Sequence, residues 1–220
     1  MGVTASMIAI IDYKAGNLAS VARALNHLGF ECQITNDLKT IQGAERVIFP
    51  GVGSAGQAMH DLQKVGLDRA ICDFYESGKP FLGICLGAQI ILEQSEENQT
   101  TCLGLLAGTV KRFSTPLHAT DGRALKVPHM GWNEVGLKRL HPVFRGVPPE
   151  SEFYFVHSFF PAPRNTDAII GTTDYGITFT SVLAEKNLIA VQFHPEKSGL
   201  PGLTILKNFC SWNGKNEASP

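Results

Sequence analysis

The chain has 220 residues, 44% hydrophobic and 18% charged, which is enough apolar material to fill a globular core. Its 19 basic and 20 acidic residues give a net charge of -1, so it shows no basic excess typical of nucleic-acid binding. No apolar run approaches the roughly 20 residues of a membrane-spanning helix, and the N-terminal residues lack a secretory-signal pattern. We therefore expect a cytoplasmic protein that binds neither nucleic acid nor membrane.

The first half of the chain predicts alternating strands and helices. Short apolar runs bounded by turn residues predict strands at 7–12, 31–35, 46–49 and 80–84. We expect the third strand to end at Phe49, cut off by Pro50-Gly51. Apolar residues at helical spacing predict helices at 18–28, at 55–76 with a break near Gly66, and at 88–94. This order is typical of an α/β domain with a mostly parallel sheet flanked by helices.

The second half of the chain predicts mainly β-structure. Apolar stretches separated by glycine and proline predict strands at 109–113, 123–127, 131–135, 152–157, 169–173, 178–183 and 188–193. A last helix is predicted at 203–211. We therefore expect one domain over 7–210, with an additional antiparallel β portion in its second half and frayed termini at 1–6 and 213–220.

The chain carries five cysteines, an odd number without CxxC spacing, which predicts reduced thiols in a cytosol-like compartment. One of them lies in Gly83-Ile84-Cys85-Leu86-Gly87, between a predicted strand and a predicted helix. Glycines on both sides allow the tight turn on which hydrolases carry their nucleophile. The helix N-terminus favours a thiolate at Cys85, and the Leu86 amide can donate to an oxyanion. The alternative is a core cysteine bounded by glycines.

A candidate general base follows a later strand. In residues 191–196 (VQFHPE), His194 comes directly after an apolar run, and Pro195 stiffens the turn that leads to Glu196. Such a glutamate can fix the tautomer of the imidazole, as the third member of a catalytic triad does. Taken singly, the two side chains could instead be a strand cap and a surface charge. Because parallel strands end at one edge of a sheet, we expect Cys85 and His194 to lie together.

A glycine-containing loop, residues 49–54 (FPGVGS), follows another predicted strand. Its glycines allow the backbone to direct an amide toward the same oxyanion. The alternative is a phosphate-binding loop. That interpretation is weaker because the loop lacks both the Lys-Ser/Thr of a P-loop and the G-x-G-x-x-G pattern.

Together, these motifs resemble those of class I glutamine amidotransferases, and the resemblance spans about residues 7–209. Four further motifs resemble, more narrowly, the glutaminase subunits of imidazole glycerol phosphate synthases. They are IDY at 11–13, GNL at 16–18, PHMGWN at 128–133 and YFVHS at 154–158.

The resemblance implies that Cys85 attacks the side-chain amide of glutamine and that His194, oriented by Glu196, protonates ammonia and then activates water. It implies an oxyanion site formed by backbone amides of Leu86 and of either Val52 or Gly53. The implied glutamine pocket comprises Gly51, Gln89, His157, Ser158 and Phe159. No cofactor and no metal are implied.

The resemblance also implies a separate partner, a (β/α)8-barrel cyclase bound as a heterodimer. This cyclase receives the ammonia and makes imidazole glycerol phosphate and an aminoimidazole carboxamide ribonucleotide in histidine biosynthesis. The interface candidates are Asn17, Met130, Trp132 and Lys197. Trp132 could alternatively be a core side chain, and Lys197 a solvated surface charge.

Three positions depart from the family pattern. Lys14 stands where glycine is usual, Ala88 where methionine is frequent, and Phe159 where an aromatic hydroxyl is common. The last departure puts any hydrogen bond from that side chain in doubt, whereas none of the three touches the triad.

Other interpretations stay open at this point. The chain could serve anthranilate, aminodeoxychorismate or pyridoxal phosphate synthesis, although PHMGWN argues against these amidotransferases. It could be a free-standing cysteine hydrolase such as a γ-glutamyl peptidase, or a silent scaffold, which would not need an intact triad. We also expect the loop at 50–53 to change conformation when the partner binds its ligand, which would keep the chain inactive alone.

Overall fold

The computed structural model describes residues 7–14 and 16–215. The helices are α1 (Leu18–His27), α2 (Leu38–Gly43), α3 (Ala55–Lys64), α4 (Leu67–Glu76), α5 (Leu86–Ile90) and α6 (Gly199–Ser211). The strands are β1 (Ile8–Ile11), β2 (Cys32–Thr35), β3 (Arg46–Gly51), β4 (Phe81–Cys85), β5 (Gln94–Ser95), β6 (Thr100–Thr101), β7 (Gly108–Arg112), β8 (Leu117–His118), β9 (Ala124–Leu125), β10 (His129–Glu134), β11 (Gly136–Leu137), β12 (Glu152–His157), β13 (Phe159–Pro163), β14 (Ile169–Asp174), β15 (Thr178–Glu185) and β16 (Leu188–Val191).

An eight-stranded mixed sheet runs through the domain in the order β11-β14-β15-β16-β4-β3-β1-β2. The strands from β16 to β2 are parallel, while β15, β14 and β11 add an antiparallel extension. A four-stranded sheet, β13-β7-β5-β6, and a two-stranded ribbon, β10-β12, lie outside it. This confirms the predicted α/β class and the antiparallel β portion in the second half.

Both faces of the inner parallel strands β1, β3, β4 and β16 are buried, which explains their continuous apolar sequences, whereas the edge strand β2 has exposed residues. In β1, Ile8 and Ile10 join the cluster that includes α1 and α6, whereas Ala9 and Ile11 join the cluster that includes α2 to α5. Successive side chains of a strand point to opposite faces, so one apolar run supplies two cores. Among the described residues, no helix has the length and apolar character needed to cross a bilayer.

Most predicted elements of the first half are confirmed, with informative differences. The predicted break near Gly66 separates α3 from α4, and Gly66 has a left-handed φ of 73°. Strand β3 continues through Pro50 to Gly51, so the predicted strand end was wrong. Strand β1 pairs with β3 only up to Ile48, so Pro50 lies where β4 is the remaining neighbour and its missing N–H removes no bond toward β1.

Several short elements were missed or misplaced. Helix α2 was not predicted, although the Asp37 side chain accepts a hydrogen bond from the Thr40 amide at its start. The predicted strand at 123–127 shrinks to β9, and the helix predicted at 88–94 begins at Leu86. Strands β5, β6, β8, β11 and β13 were not predicted. Frayed termini were predicted at 1–6 and 213–220. Residues 1–6 and 216–220 lie outside the described residues, so of these two segments the structure describes only 213–215.

Helix α5 packs directly against β3, and this approach requires a glycine. A Cβ added at Gly87 would overlap the carbonyl oxygen of Phe49, which belongs to the backbone of β3 and cannot rotate away. At Gly83, added atoms would meet the Gly87 carbonyl at 3.1 Å and the Ala190 methyl at 3.2 Å. Both glycines of the 83–87 motif therefore have a steric reason.

We predict that Gly87→Ala destabilises the fold by about 1–3 kcal/mol or more, because the methyl group forces α5 away from β3. Gly43→Ala is the matched control, since it also lies in a helix but its added Cβ meets no atom within 4 Å. Urea denaturation followed by circular dichroism compares the two. Equal unfolding free energies for both variants would refute the steric argument.

Candidate active site

Cys85 lies at the junction of β4 and α5 in an unusual backbone conformation. Its φ of 54° and ψ of -107° differ from those of both the preceding strand and the following helix. A non-glycine residue rarely adopts a positive φ, and such conformations cluster at functional sites. The turn places the thiol at the carboxyl end of β4, where it is 6% exposed, and leaves the Leu86 amide in the first turn of α5.

His194 and Glu196 form a buried pair after β16. The Nδ1 atom of His194 lies 2.8 Å from Oε1 of Glu196, and the two side chains are 1% and 0% exposed. The turn is attached to β12 by a 2.9 Å hydrogen bond from the His194 amide to the Tyr154 carbonyl. The Ser198 hydroxyl also donates to the His194 carbonyl at 2.6 Å. These bonds fix the imidazole next to the end of β4.

The surroundings of His194 favour its protonated form. Burial alone lowers the pKa of this imidazole, but Cys85 and Glu196 more than offset burial and raise it from 6.5 to about 10. With Nδ1 donating to Glu196, Nε2 is the atom left for Cys85 and a ligand. It is buried and has no well-formed hydrogen bond to another described residue. A proton is therefore held at neutral pH on the nitrogen that faces the reaction site.

Asn17, a predicted interface residue, contacts the triad. It precedes α1 with a left-handed φ of 74°, and its Nδ2 donates a short hydrogen bond to Oε1 of Glu196. The same oxygen accepts from His194, whereas Oε2 of Glu196 has no hydrogen-bond partner among the described residues. Asn17 thus helps to satisfy a carboxylate that burial would otherwise destabilise.

A cavity of about 370 Å³ opens over Cys85. Its lining brings together eight of the predicted catalytic and binding residues with three others: Val52, Gly53, Cys85, Leu86, Gln89, Glu97, Pro128, Val156, His157, Ser158 and Phe159. Gly51 pairs with Cys85 across β3 and β4 but is buried below the cavity. A larger cavity of about 670 Å³ lies elsewhere, between β11 and the segment at 140–149, and its lining lacks the triad.

The loop after β3 forms one wall of this cavity. The Val52 side chain is 37% exposed, and Gly53 has a φ of 102° that favours glycine. A Cβ at Gly51 would overlap the hydroxyl of Tyr13, so this glycine makes room for a buried tyrosine. Burial, with Cys85 nearby, raises the pKa of Tyr13. The sequence analysis did not assign Tyr13 a role, although it belongs to the IDY motif.

A chain of amide hydrogen bonds connects the opposite wall to the thiol. Nε2 of Gln89 donates to the Phe159 carbonyl at 2.8 Å and to Oε1 of Gln192 at 3.0 Å. Nε2 of Gln192 in turn lies 3.7 Å from the Cys85 sulfur. Both N–H groups of Gln89 are thus used, and its Oε1 is the atom left for a ligand. The sequence analysis missed Gln192, a fully buried amide within an apolar stretch.

The other interface candidates lie outside the cavity. On the ribbon of β10 and β12, Met130 and Trp132 are 62% and 54% exposed, and the Trp132 ring contacts Tyr154 at 6.1 Å between centroids. Lys197 lies over the same tyrosine, 5.8 Å from its ring centroid. We call the side chains of these four residues the ribbon surface. Trp132 is therefore not a core side chain, whereas Lys197 is exposed, as a solvated surface charge would be.

The fold and the site define an α/β protein with a cysteine elbow facing a histidine–carboxylate pair. The model of the family described as Glutamine amidotransferase class-I matches residues 9–211. A HisH subunit of imidazole glycerol phosphate synthase from Nitratidesulfovibrio vulgaris is 52% identical over 206 residues, or 94% of this chain and 97% of that protein. A HisH subunit from Aromatoleum aromaticum is 48% identical over 210 residues, covering 94% and 99% of the two chains.

Solved structures at lower identity share the fold. A putative GMP synthase protein from Thermoplasma acidophilum has a TM-score of 0.71 at 20% identity, covering 96% of this chain and 94% of that one. The structure of PurLQS from Thermotoga maritima also has a TM-score of 0.71, at 17% identity, covering 94% and 99%. The chain belongs to the class-I glutamine amidotransferase family and, within it, to the group of the imidazole glycerol phosphate synthase HisH subunits.

We predict that Glu196→Gln shifts the alkaline limb of kcat/KM for glutamine to lower pH. In the unmodified chain we expect this limb well above pH 7, because Cys85 and Glu196 raise the pKa of His194 to about 10. Glutamine retains an oxygen that accepts from Nδ1 but loses the charge, so the pKa of His194 falls by about one unit or more.

The pH dependence of glutamate release measures this shift. Glu93→Gln is the control, because Glu93 pairs with Arg164 on the surface at 2.9 Å. An alkaline limb that stays in place in Glu196→Gln would show that Glu196 does not raise the pKa of His194.

Proposed function

We propose that this chain hydrolyses glutamine to glutamate and ammonia through Cys85, His194 and Glu196. The ammonia passes to a separate cyclase subunit, which makes imidazole glycerol phosphate and aminoimidazole carboxamide ribonucleotide in histidine biosynthesis. The observation that carries the proposal is the elbow at Cys85, which presents a thiol at a cavity wall beside an imidazole paired with a buried carboxylate. The HisH relatives supply the class of partner.

The first half-reaction forms a thioester. The Cys85 sulfur bonds to the side-chain carboxamide carbon of glutamine while the carbonyl electrons move onto oxygen. His194, protonated at neutral pH, gives its Nε2 proton to the amide nitrogen, the C–N bond breaks and ammonia leaves. The electrons return from the oxygen, and a γ-glutamyl thioester remains on Cys85.

The second half-reaction restores the enzyme. A water molecule adds to the thioester carbon, and His194, now neutral, takes its proton at Nε2. The C–S bond breaks, glutamate leaves and the Cys85 thiolate again faces the imidazolium. Glu196 holds Nδ1 through both steps at 2.8 Å, so the imidazole keeps the tautomer that the two transfers need.

Backbone amides stabilise the negative oxygen of both intermediates. The Leu86 amide is one of the first N–H groups of α5, which have no acceptor within the helix. A second donor comes from Val52 or Gly53 in the loop across the cavity. We propose that this loop takes its donating conformation when the cyclase binds its ligand, so that glutamine is not wasted by the chain alone.

The glutamine pocket lies beside the elbow. Oε1 of Gln89 accepts from the substrate, because both N–H groups of Gln89 are already bound. The backbone of His157, Ser158 and Phe159 recognises the α-amino and α-carboxylate groups. Recognition by backbone groups does not need a side-chain hydroxyl at Phe159.

The ribbon surface is the docking site of the cyclase, a (β/α)8 barrel that forms a heterodimer with this chain in the cytoplasm. Val156 lines the cavity and is the strand partner of Met130, so the cavity wall continues into the exposed ribbon surface. Ammonia released at Cys85 therefore leaves toward the partner. Trp132, two residues from Met130 on the same face of β10, gates this passage.

We predict that Cys85→Ala lowers glutamine-dependent synthesis by about 10³-fold or more while synthesis from added ammonia continues, because only ammonia release needs the thiol. Cys102→Ala is the matched control, since Cys102 is another buried cysteine outside the cavity lining. Product formation by the complex is measured with each nitrogen source, and glutamate release is also measured for the unmodified chain alone.

The unmodified chain is expected to release glutamate slowly alone and rapidly with the cyclase and its nucleotide ligand. Loss of both syntheses in Cys85→Ala would mean that Cys85 holds the complex together. Equal glutamate release with and without the cyclase would indicate a free-standing hydrolase instead.

We predict that Trp132→Glu weakens binding of the cyclase by about tenfold or more, because it places a charge within the ribbon surface. Val65→Glu is the control, since Val65 is also an exposed apolar side chain, at 47%, but lies between α3 and α4. Calorimetric titration measures both dissociation constants. Equal affinities of the two variants would exclude the ribbon surface as the docking site.

A further inference from the structure

A second pair of histidines lies beside the site and takes no part in the proposed proton transfers. His129 and His157 face each other in register on β10 and β12, with Nδ1 of His129 3.0 Å from Nε2 of His157. They are 2% and 6% exposed and packed among aromatic rings. Burial lowers the pKa of His129 to about 4 and that of His157 to about 3. Both rings are therefore neutral, and each carries one N–H.

Asn133 determines which nitrogen carries each proton. Its Oδ1 accepts from the Glu134 amide at 2.9 Å, and its Nδ2 donates to the Asp174 carbonyl at 3.0 Å, so the orientation of the amide is fixed. The same Nδ2 lies 3.3 Å from Nε2 of His129. An amide nitrogen only donates, so this Nε2 is the acceptor and the proton of His129 resides on Nδ1.

The same direction of hydrogen-bond donation continues from His129 to His157 and from there to the wall of the cavity. Nδ1–H of His129 donates to Nε2 of His157, which leaves the proton of His157 on Nδ1. That N–H donates at 2.8 Å to the carbonyl of Phe159, the same oxygen that accepts from Gln89. Every donor in this chain points toward the pocket, and the Phe159 carbonyl has both lone pairs occupied.

We propose that Asn133, His129 and His157 are positioning residues, whose one-directional hydrogen-bond chain holds the Phe159 carbonyl and thereby the glutamine-binding wall at residues 158–159. The inference rests on the proposed function in so far as the cavity binds glutamine. None of the three contributes a proton to the reaction. Their effect is to give the wall and Gln89 one fixed geometry before the substrate arrives.

Asn133→Asp tests the direction of these hydrogen bonds, because a carboxylate oxygen accepts where the amide nitrogen of Asn133 donates. His129 must then place its proton on Nε2, His157 must do the same, and the bare Nδ1 of His157 faces the Phe159 carbonyl. Uptake of one proton by His129 removes this clash of two acceptors, since an imidazolium donates from both nitrogens and His157 can then keep its proton on Nδ1. The titratable neighbours are Tyr175, which is stacked on His129, and His194, whose charge lowers the pKa of His157. The Asp174 carboxylate accepts from Thr178.

For the variant in complex with the cyclase, we expect KM for glutamine to rise about tenfold at about pH 8, with a smaller change in kcat. At about pH 6 the ratio of variant to unmodified KM is expected to fall back toward one, because the histidine pair then takes up a proton. Asn165→Asp is the matched control, since the Asn165 side chain accepts from the Asp167 amide and aspartate does the same. Its KM is expected to stay unchanged at both pH values.

An Asn133→Asp variant with unchanged KM would overturn the proposal, as would a raised KM that does not respond to pH. A measurement on the unmodified chain covers the case in which the variant does not fold. Long-range ¹H–¹⁵N correlation spectra report the tautomer of each histidine, and both rings are expected to carry the proton on Nδ1. A proton on Nε2 of either ring would contradict the proposed direction of the hydrogen bonds, even if the complex hydrolyses glutamine. Absence of glutaminase activity in the unmodified complex would refute the proposed function and leave the tautomers unaffected.

Discussion

The turn at Cys85 is the constraint on which the rest of the site depends. A non-glycine residue with φ near 54° costs of the order of 1–3 kcal/mol, so the surrounding packing must hold it in place. Gly83 and Gly87 allow that packing, because a Cβ at Gly87 would overlap the backbone of β3 and a Cβ at Gly83 would crowd α5 and Ala190. In return, the thiol and the Leu86 amide are fixed relative to each other by covalent geometry and by two buried elements. An enzyme that stabilises a negative oxygen needs such a rigid arrangement.

The order of the sheet brings the second half of the triad to this turn. Strands β4 and β16 are parallel neighbours, with Gly83 opposite Ala190 and Ile84 opposite Val191. The residues that follow each strand therefore meet at the same edge of the sheet. Burial of Glu196 is acceptable only because His194 and Asn17 donate to it, and the buried carboxylate in turn holds the proton on His194. The strand order thus brings Cys85 and His194 together, and the local hydrogen bonds keep His194 protonated.

Local patterns in the sequence predicted the parts of the structure that depend on neighbouring residues. Apolar runs predicted the parallel strands, and the glycines around Cys85 predicted the elbow. Strands such as β11 and β13 were missed because their pairing partners are distant in sequence and their own patterns are weak. For the same reason the contact of Asn17 with Glu196 could not be predicted, since the two residues are 179 positions apart. PHMGWN marked the family and supplied the interface candidates Met130 and Trp132, but it gave His129 no role until β10 and β12 placed His129 against His157.

The amide side chains of Asn17, Gln89 and Gln192 each direct an N–H group toward the triad or toward a residue that contacts it. The amide of Asn17 donates to Glu196, that of Gln89 to Gln192, and that of Gln192 toward the Cys85 sulfur. In each case a neutral dipole directs its positive end toward a negative or electron-rich atom. Little water reaches these buried groups, so their dipoles act with less screening than they would in solvent. Fixed donors of this kind need no reorganisation when charge develops on the substrate, and their positions depend on pairings that only the folded sheet provides.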